Sequence, residues 1–189
     1  SADVLEALGA IIDLQPEQVS AMTAGQVASL SYYQLRALTQ AQVGALTSAQ
    51  ITAMNAIQVA TLGADKIVHM KPAQIAAISP TAINGLTVDQ LSAMSATQVE
   101  AITVSQVAGL NTTQVTALGP TKLARFTPAE IAAINPYSVP GITPEQISHF
   151  NRDQLQAFTP VQSQVMSPDQ IAAVLAALQA AQAVAYLRT

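Results

Sequence analysis

Nine of the ten prolines stand at positions 16, 72, 80, 120, 128, 136, 144, 160 and 168, each a multiple of eight from the next. Written in eights from Gln15, the chain runs through twenty octads without a gap and ends at Val174. The nine prolines all take the second position. Proline suits the first residue of a helix, where its missing N–H would have no partner. It also pushes the residue before it out of the helical region, as an N-cap requires. Position one is Ser, Thr or Asn in sixteen octads, and position four is Gln in fifteen. A hydroxyl or amide cap followed three residues later by Gln is a capping box. Position five is Val, Ile or Leu in nineteen octads and position eight is apolar in all twenty. These two places form the hydrophobic staple across each helix start. A new start every eight residues requires a stop every eight residues.

Two other architectures fail on geometry. In one continuous helix each octad would drift by about 80°, spreading the apolar residues around the surface, and internal prolines would cost about 3 kcal/mol each. A β-solenoid needs alternation of period two, whereas positions five and eight lie three apart. The expectation is an all-α solenoid of about twenty very short capped helices. Helices this short do not persist alone, so they must bury positions five and eight against one another, as repeat arrays do. Position seven is Ala, Gly, Ser or Thr in sixteen octads, which suits either close backbone approach or a tight turn. The Gln at position four is read first as a cap partner and second as a rung of a ladder between octads.

One repeat domain is expected over 1–189. It comprises an N-terminal cap helix within 1–14 (residues 2–13), octads over 15–166 and a C-terminal cap helix within 167–189 (residues 168–187). A longer period is also present. Residues 63–118 align with 119–174, pairing Gly63 with Gly119 and Lys66 with Lys122, and the two off-pattern octads 79–86 and 135–142 coincide. Duplication of a 56-residue block explains this; a whole number of superhelical turns per seven octads is the second explanation.

The composition narrows the chemistry. The formal charge of −4 gives no electrostatic reason for a nucleic-acid partner. Without cysteine there is neither a disulfide framework nor a thiolate zinc site. No secretion leader is read at the N-terminus. The apolar stretch from Ile171 to Leu187 is interrupted by Gln179 and Gln182, so no membrane insertion is expected. No phosphate-binding glycine loop, nucleophile elbow or zinc-protease motif occurs. Asp65/His69 and Glu145/His149 are spaced i, i+4 and share a helix face; they are read as solvated pairs ahead of metal or acid–base pairs. No catalytic residue, metal site or cofactor is expected. Candidate binding residues are Lys66, His69, Lys71, Lys122 and Arg125, a basic set repeated in part across the duplication, with the aromatics Tyr33 and Tyr137 at exposed helix starts. Solvated residues copied by the duplication are the plainer reading of the basic set; a stripe for an acidic partner is the sharper one. Position-one threonines are occupied by capping, which argues against their templating ice or mineral.

The pattern Leu-Thr-x-x-Gln-Val-x-Ala-Leu, seen from Leu38 to Leu46 and, with Ile102 in the first place and Gly109 in place of Ala, from Ile102 to Leu110, resembles the octapeptide repeats of large bacterial secreted or surface-exposed proteins. The resemblance covers residues 15–174. It implies a spacer or binding scaffold, an extracellular or cell-surface setting and no catalytic residues. The substituted Lys, His, Tyr and Pro140 depart from near-perfect arrays of that kind and favour particular surfaces over a bare stalk. The expected function is therefore a non-enzymatic structural or interaction module that binds another protein along its surface. The alternative is a secreted effector or toxin-associated domain holding a host macromolecule or ligand in a solenoid groove.

Overall fold

The computed structural model describes residues 11–186, with side chains in the last helix as far as residue 183. The N-terminal cap helix expected over 2–13 lies almost wholly outside the described residues. Every regular element among the described residues is helical. The chain divides into two compact units, Ser1–Ile102 and Thr103–Thr189, and each is a helical solenoid of stacked octads.

One octad shows how the sequence makes the element. Thr39 is extended (φ −75°, ψ 163°) and precedes the helix Gln40–Ala45. The Gln42 N–H donates to Thr39 Oγ1 at 3.2 Å, and the Thr39 N–H donates to Gln42 Oε1 at 2.8 Å. The helix stops at Leu46, whose ψ of 133° turns the chain back to extended backbone for the next cap. The same reciprocal box forms at Thr23, Ser31, Thr47, Asn55, Thr87 and Ser95 in the first unit. In the second it recurs at Thr103, Asn111, Thr127, Thr143, Asn151 and Thr159. Gln15 and Lys71 cap without a side-chain acceptor bond, and only the reverse half of the box forms there.

Each helix rests against the third one along. Pro16–Ala21 meets Gln40–Ala45, Ala24–Ala28 meets Ser48–Thr52, and Tyr32–Ala37 meets Ala56–Thr61. The second unit follows the same rule, with Val104–Val107 against Pro128–Ala133 and Gly119–Leu123 against Pro144–Ser148. A turn therefore takes three octads. Position five supplies the centre: from Val19 to Leu155 every one of these residues is 3% exposed or less. Position eight, such as Leu38, Leu46 and Met54, closes the core between successive helices. Each such burial is worth about 1.5–3 kcal/mol, and it is this shared core that holds helices of four to six residues.

The Gln at position four does two jobs. Its Oε1 completes the cap, and its Nε2 reaches across the stack to backbone carbonyls 31 and 28 residues earlier. Gln50 Nε2 donates to Val19 O at 2.8 Å and Met22 O at 2.7 Å. Gln98 donates to Ile67 O and Met70 O, and in the second unit Gln162 donates to Ile131 O and Ile134 O. The cap reading and the ladder reading are thus both true of one side chain. Gln18 and Gln26 in the first turn are exposed, and Gln42 onward is buried. Helix termini and the carbonyls of an earlier turn are satisfied together, so sequence register and stacking register are locked to each other.

The two off-pattern octads become 3₁₀ turns, Ile83–Gly85 and Pro136–Gly141. Both lack Gln at position four. Ser138 takes over part of its task by donating from Oγ to Leu110 O at 2.7 Å. The glycines at position seven are needed for close approach: a Cβ on Gly85 would overlap the carbonyl of Ala56, and one on Gly141 would overlap that of Thr112. Seven octads are not a whole number of three-octad turns, so duplication remains the explanation of the 56-residue period. The last helix runs Pro168–Tyr186. It packs on Pro144–Ser148 and Arg152–Gln156 and leaves Ile171 44% and Leu175 56% exposed.

Candidate functional site

A surface cleft of the first unit lies where the glutamine ladder is interrupted. At position four of octad 63–70 the residue is Lys66. The carbonyls 31 and 28 residues earlier belong to Leu35 and Leu38, but the Lys66 ammonium turns instead to Asp65 Oδ2 at 3.4 Å. The start of this octad is also different. Leu62 is helical (φ −58°, ψ −31°) where Leu38, Leu46 and Met94 are extended, and Gly63 follows at φ +78°; Leu118 and Gly119 repeat this start in the second unit. A positive φ of this kind favours glycine.

The altered turn opens a cleft of about 440 Å³ between the helices Tyr32–Ala37 and Ala56–Thr61 and the segment from Leu62 to Lys66. That volume falls in the range of small-ligand pockets. Tyr32 and Ile57 present apolar surface, being 50% and 75% exposed, while the Lys66 side chain is only 12% exposed. Arg36 stands one turn after Tyr32. Its Nη1 donates to Tyr32 Oη at 2.8 Å, and its guanidinium carbon lies 5.6 Å from the centre of the same ring. The hydrogen bond to Tyr32 and the nearby phenol raise the Arg36 pKa above its usual value, with Asp65 adding a smaller contribution. Tyr33 packs edge-on against Tyr32, with ring centres 5.5 Å apart. The wall is therefore a held aromatic–guanidinium pair, a bulky aliphatic and a lysine side chain that is largely covered.

Of the residues expected from sequence, Lys66 lines this cleft and Tyr33 supports its aromatic wall. His69 and Lys71 are exposed and do not line it. Lys71 opens the helix Pro72–Ala76 through its backbone N–H, which donates to Gln74 Oε1 at 2.6 Å. Lys122, Arg125 and Tyr137 belong to the second unit. Burial lowers the Lys122 pKa; Arg125 is exposed, and Tyr137 is 89% exposed with its carbonyl bonded to Thr112 Oγ1. Sequence reasoning did not single out Arg36 or Ile57. The available signals were the i, i+4 spacing of Tyr32 and Arg36 and a large aliphatic at position three, a solvent-facing place in the repeat.

The histidine pairs do not form carboxylate contacts. His149 Nδ1 lies 3.0 Å from the Glu145 backbone carbonyl, and Asp65 engages Lys66, not His69. Among the described residues no three of His, Cys, Asp or Glu gather into a metal-binding group. A second, shallower cleft of about 400 Å³ lies in the second unit between Ser148–Arg152 and the alanines 177, 180 and 181 of the last helix.

Residues 67–104 are similar to the ALTTAQ repeat family. This is a tandem-repeat protein. The matched stretch begins inside octad 63–70, ends at the start of octad 103–110 and includes the 3₁₀ octad 79–86. No curated protein matches the chain. Among the described residues no helix is long and apolar enough to cross a membrane.

Proposed function

We propose that this chain is a non-enzymatic structural and interaction module, a solenoid scaffold that binds another protein through the cleft around Tyr32, Arg36 and Ile57. The observation that carries this reading is the division of labour between core and surface. Buried polar side chains are almost all position-four glutamines, and they are committed to helix starts and to the carbonyls of an earlier turn. No buried side-chain N or O among the described residues lacks a hydrogen-bond partner, so the interior's polar groups serve the scaffold. Tyr32, Arg36 and Ile57, by contrast, line one cleft, and tyrosine and arginine dominate the energetics of protein interfaces. The likeness to secreted and surface-exposed octapeptide arrays supports placing the module outside the cell.

A displayed random-peptide library panned on the whole chain tests the proposal. Peptides retained by the wild type and released by a Tyr32→Ser/Ile57→Ser double variant are expected. Both replaced side chains are at least half exposed, so the variant keeps its core. Equal retention by the two proteins, or none by either, overturns the reading.

A further inference from the structure

The ligand chemistry of the cleft follows from what replaces the ladder there. We infer that Lys66 and Arg36 form a paired cationic clamp for the carboxylate of an acidic peptide whose neighbouring apolar side chain rests on Tyr32 and Ile57. This rests on the interaction reading above and specifies its partner.

Three observations lead to it. First, octad 63–70, like octad 119–126, lacks the fourth-position amide that in Gln50, Gln98 and Gln162 bonds two carbonyls of an earlier turn, and carries a lysine in that register with 12% of its side chain exposed. The Lys66 stem is held against the protein and its ammonium, 3.4 Å from Asp65 Oδ2, stands at the cleft. Second, charge is sparse in this protein. The whole chain has seven Lys and Arg against eleven Asp and Glu, yet two of the seven line one cleft with a single acid, Asp65. The local balance is positive within an acidic molecule, which favours an isolated carboxylate and disfavours a long polyanion. Third, the guanidinium is pre-positioned. Arg36 is anchored by Nη1 to Tyr32 Oη and lies near the Tyr32 ring, so its other N–H groups can donate to a carboxylate with little further ordering. Tyr32 and Ile57 add apolar surface beside the two charges. A segment with Asp or Glu next to a Leu, Ile or Phe satisfies both halves.

The test is an array of synthetic decapeptides, each with one apolar residue flanked by Asp/Glu, by the isosteric Asn/Gln or by Lys. Binding of the full chain is read by fluorescence anisotropy, with Lys66→Gln, Arg36→Gln and Tyr32→Ser/Ile57→Ser alongside. The expected result is roughly tenfold tighter binding of the carboxylate peptides than of their amide isosteres. That preference should shrink severalfold in Arg36→Gln and in Lys66→Gln and fall with added salt. Lys66→Gln installs the residue found at this position in fifteen octads, so its thermal midpoint is expected to match or exceed the wild type, separating lost binding from lost folding. Amide peptides that bind as tightly as carboxylates, through a site still sensitive to Tyr32→Ser/Ile57→Ser, would overturn the clamp and leave the interaction reading standing. No peptide sensitive to the double variant would overturn both. An unchanged carboxylate preference in Lys66→Gln would remove Lys66 from the clamp and overturn it as stated.

Discussion

Replacing Gln50 isolates what the ladder contributes beyond the cap. Its Oε1 accepts the Thr47 N–H at 2.8 Å, and its Nε2 donates to Val19 O and Met22 O at 2.8 and 2.7 Å, in a side chain 1% exposed. Gln50→Ala leaves the Thr47 N–H and Met22 O to find new partners, and Val19 O, which also accepts the Met22 N–H, loses its second donor. At about 1–1.5 kcal/mol each, plus the space vacated, the loss is about 3–5 kcal/mol. Gln18 makes the same cap through its Oε1 but is exposed, so Gln18→Ala should cost only about 0.5–1 kcal/mol. For a chain of this size the two variants should differ by roughly 10 °C in thermal midpoint. Gln50→Glu sharpens the test. One oxygen can keep the cap, while the other faces two carbonyl oxygens and is repelled unless protonated. The folded-state pKa of that new carboxyl is therefore raised above the unfolded value of about 4.3. By linkage the destabilisation is fully present above the raised pKa and is relieved as pH falls through it. Urea denaturation followed by helical circular dichroism at pH 7 and pH 3.5 reads both effects. Equal costs for Gln18→Ala and Gln50→Ala, or a Gln50→Glu penalty that does not shrink at low pH relative to wild type, would refute the ladder as a source of stability.

The remaining predictions concern packing, register and titration. Gly85→Ala and Gly141→Ala should each lower stability by about 2–4 kcal/mol, because the added methyl meets a backbone carbonyl that cannot swing aside. Gly25→Ala, in a helix where the nearest atom is Thr23 Oγ1 at 4.0 Å, should raise it by about 0.5–1 kcal/mol; thermal melts of all three settle the contrast. Deleting the octad from Thr39 to Leu46 should be tolerated better than deleting Thr39 to Gln42 alone, since only the first keeps cap, core and ladder in phase; matching losses of melting temperature would count against the register. Because burial lowers the Lys122 pKa from its usual 10.5, the unfolded chain holds that proton more tightly. Stability from this group should rise as pH climbs from the lowered value toward 10.5, and Lys122→Met should flatten that rise in pH-dependent denaturation curves.

How far the sequence revealed this molecule depends on the range of each interaction. Position one, the proline after it and the glutamine three later act within a single helical turn, and the reciprocal bonds at Thr39 or Asn151 form as the pattern implies. Positions five and eight also declare themselves as core, since no other face of so short a helix could be buried. The stacking period was not legible in that way. Three octads to a turn is set by how Val43 and Leu46 pack against neighbours some 24 residues away, and a strict eight-residue repeat is compatible with several turns. Only the second target of each glutamine, the carbonyls 28 and 31 residues back, ties the local pattern to that longer distance.

The cleft was hidden for a related reason. Lys66 and Tyr33 stood out as departures from the repeat, but Arg36 and Ile57 occupy solvent-facing places where the pattern constrains nothing. They acquire meaning only through stacking, because Tyr32–Ala37 lies against Ala56–Thr61. In an array whose core positions are fixed by caps, ladder and staple, variation is cheap at positions two, three and six and costly elsewhere. Binding character is then expected where a free surface position meets a tolerated break in the ladder. Octad 63–70 makes that break with Gly63 and Lys66, and octads 31–38 and 55–62 supply Tyr32, Arg36 and Ile57 beside it. The eight-residue grammar thus fixes the scaffold, and its exceptions, read three octads apart, locate the surface on which such a scaffold can be specific.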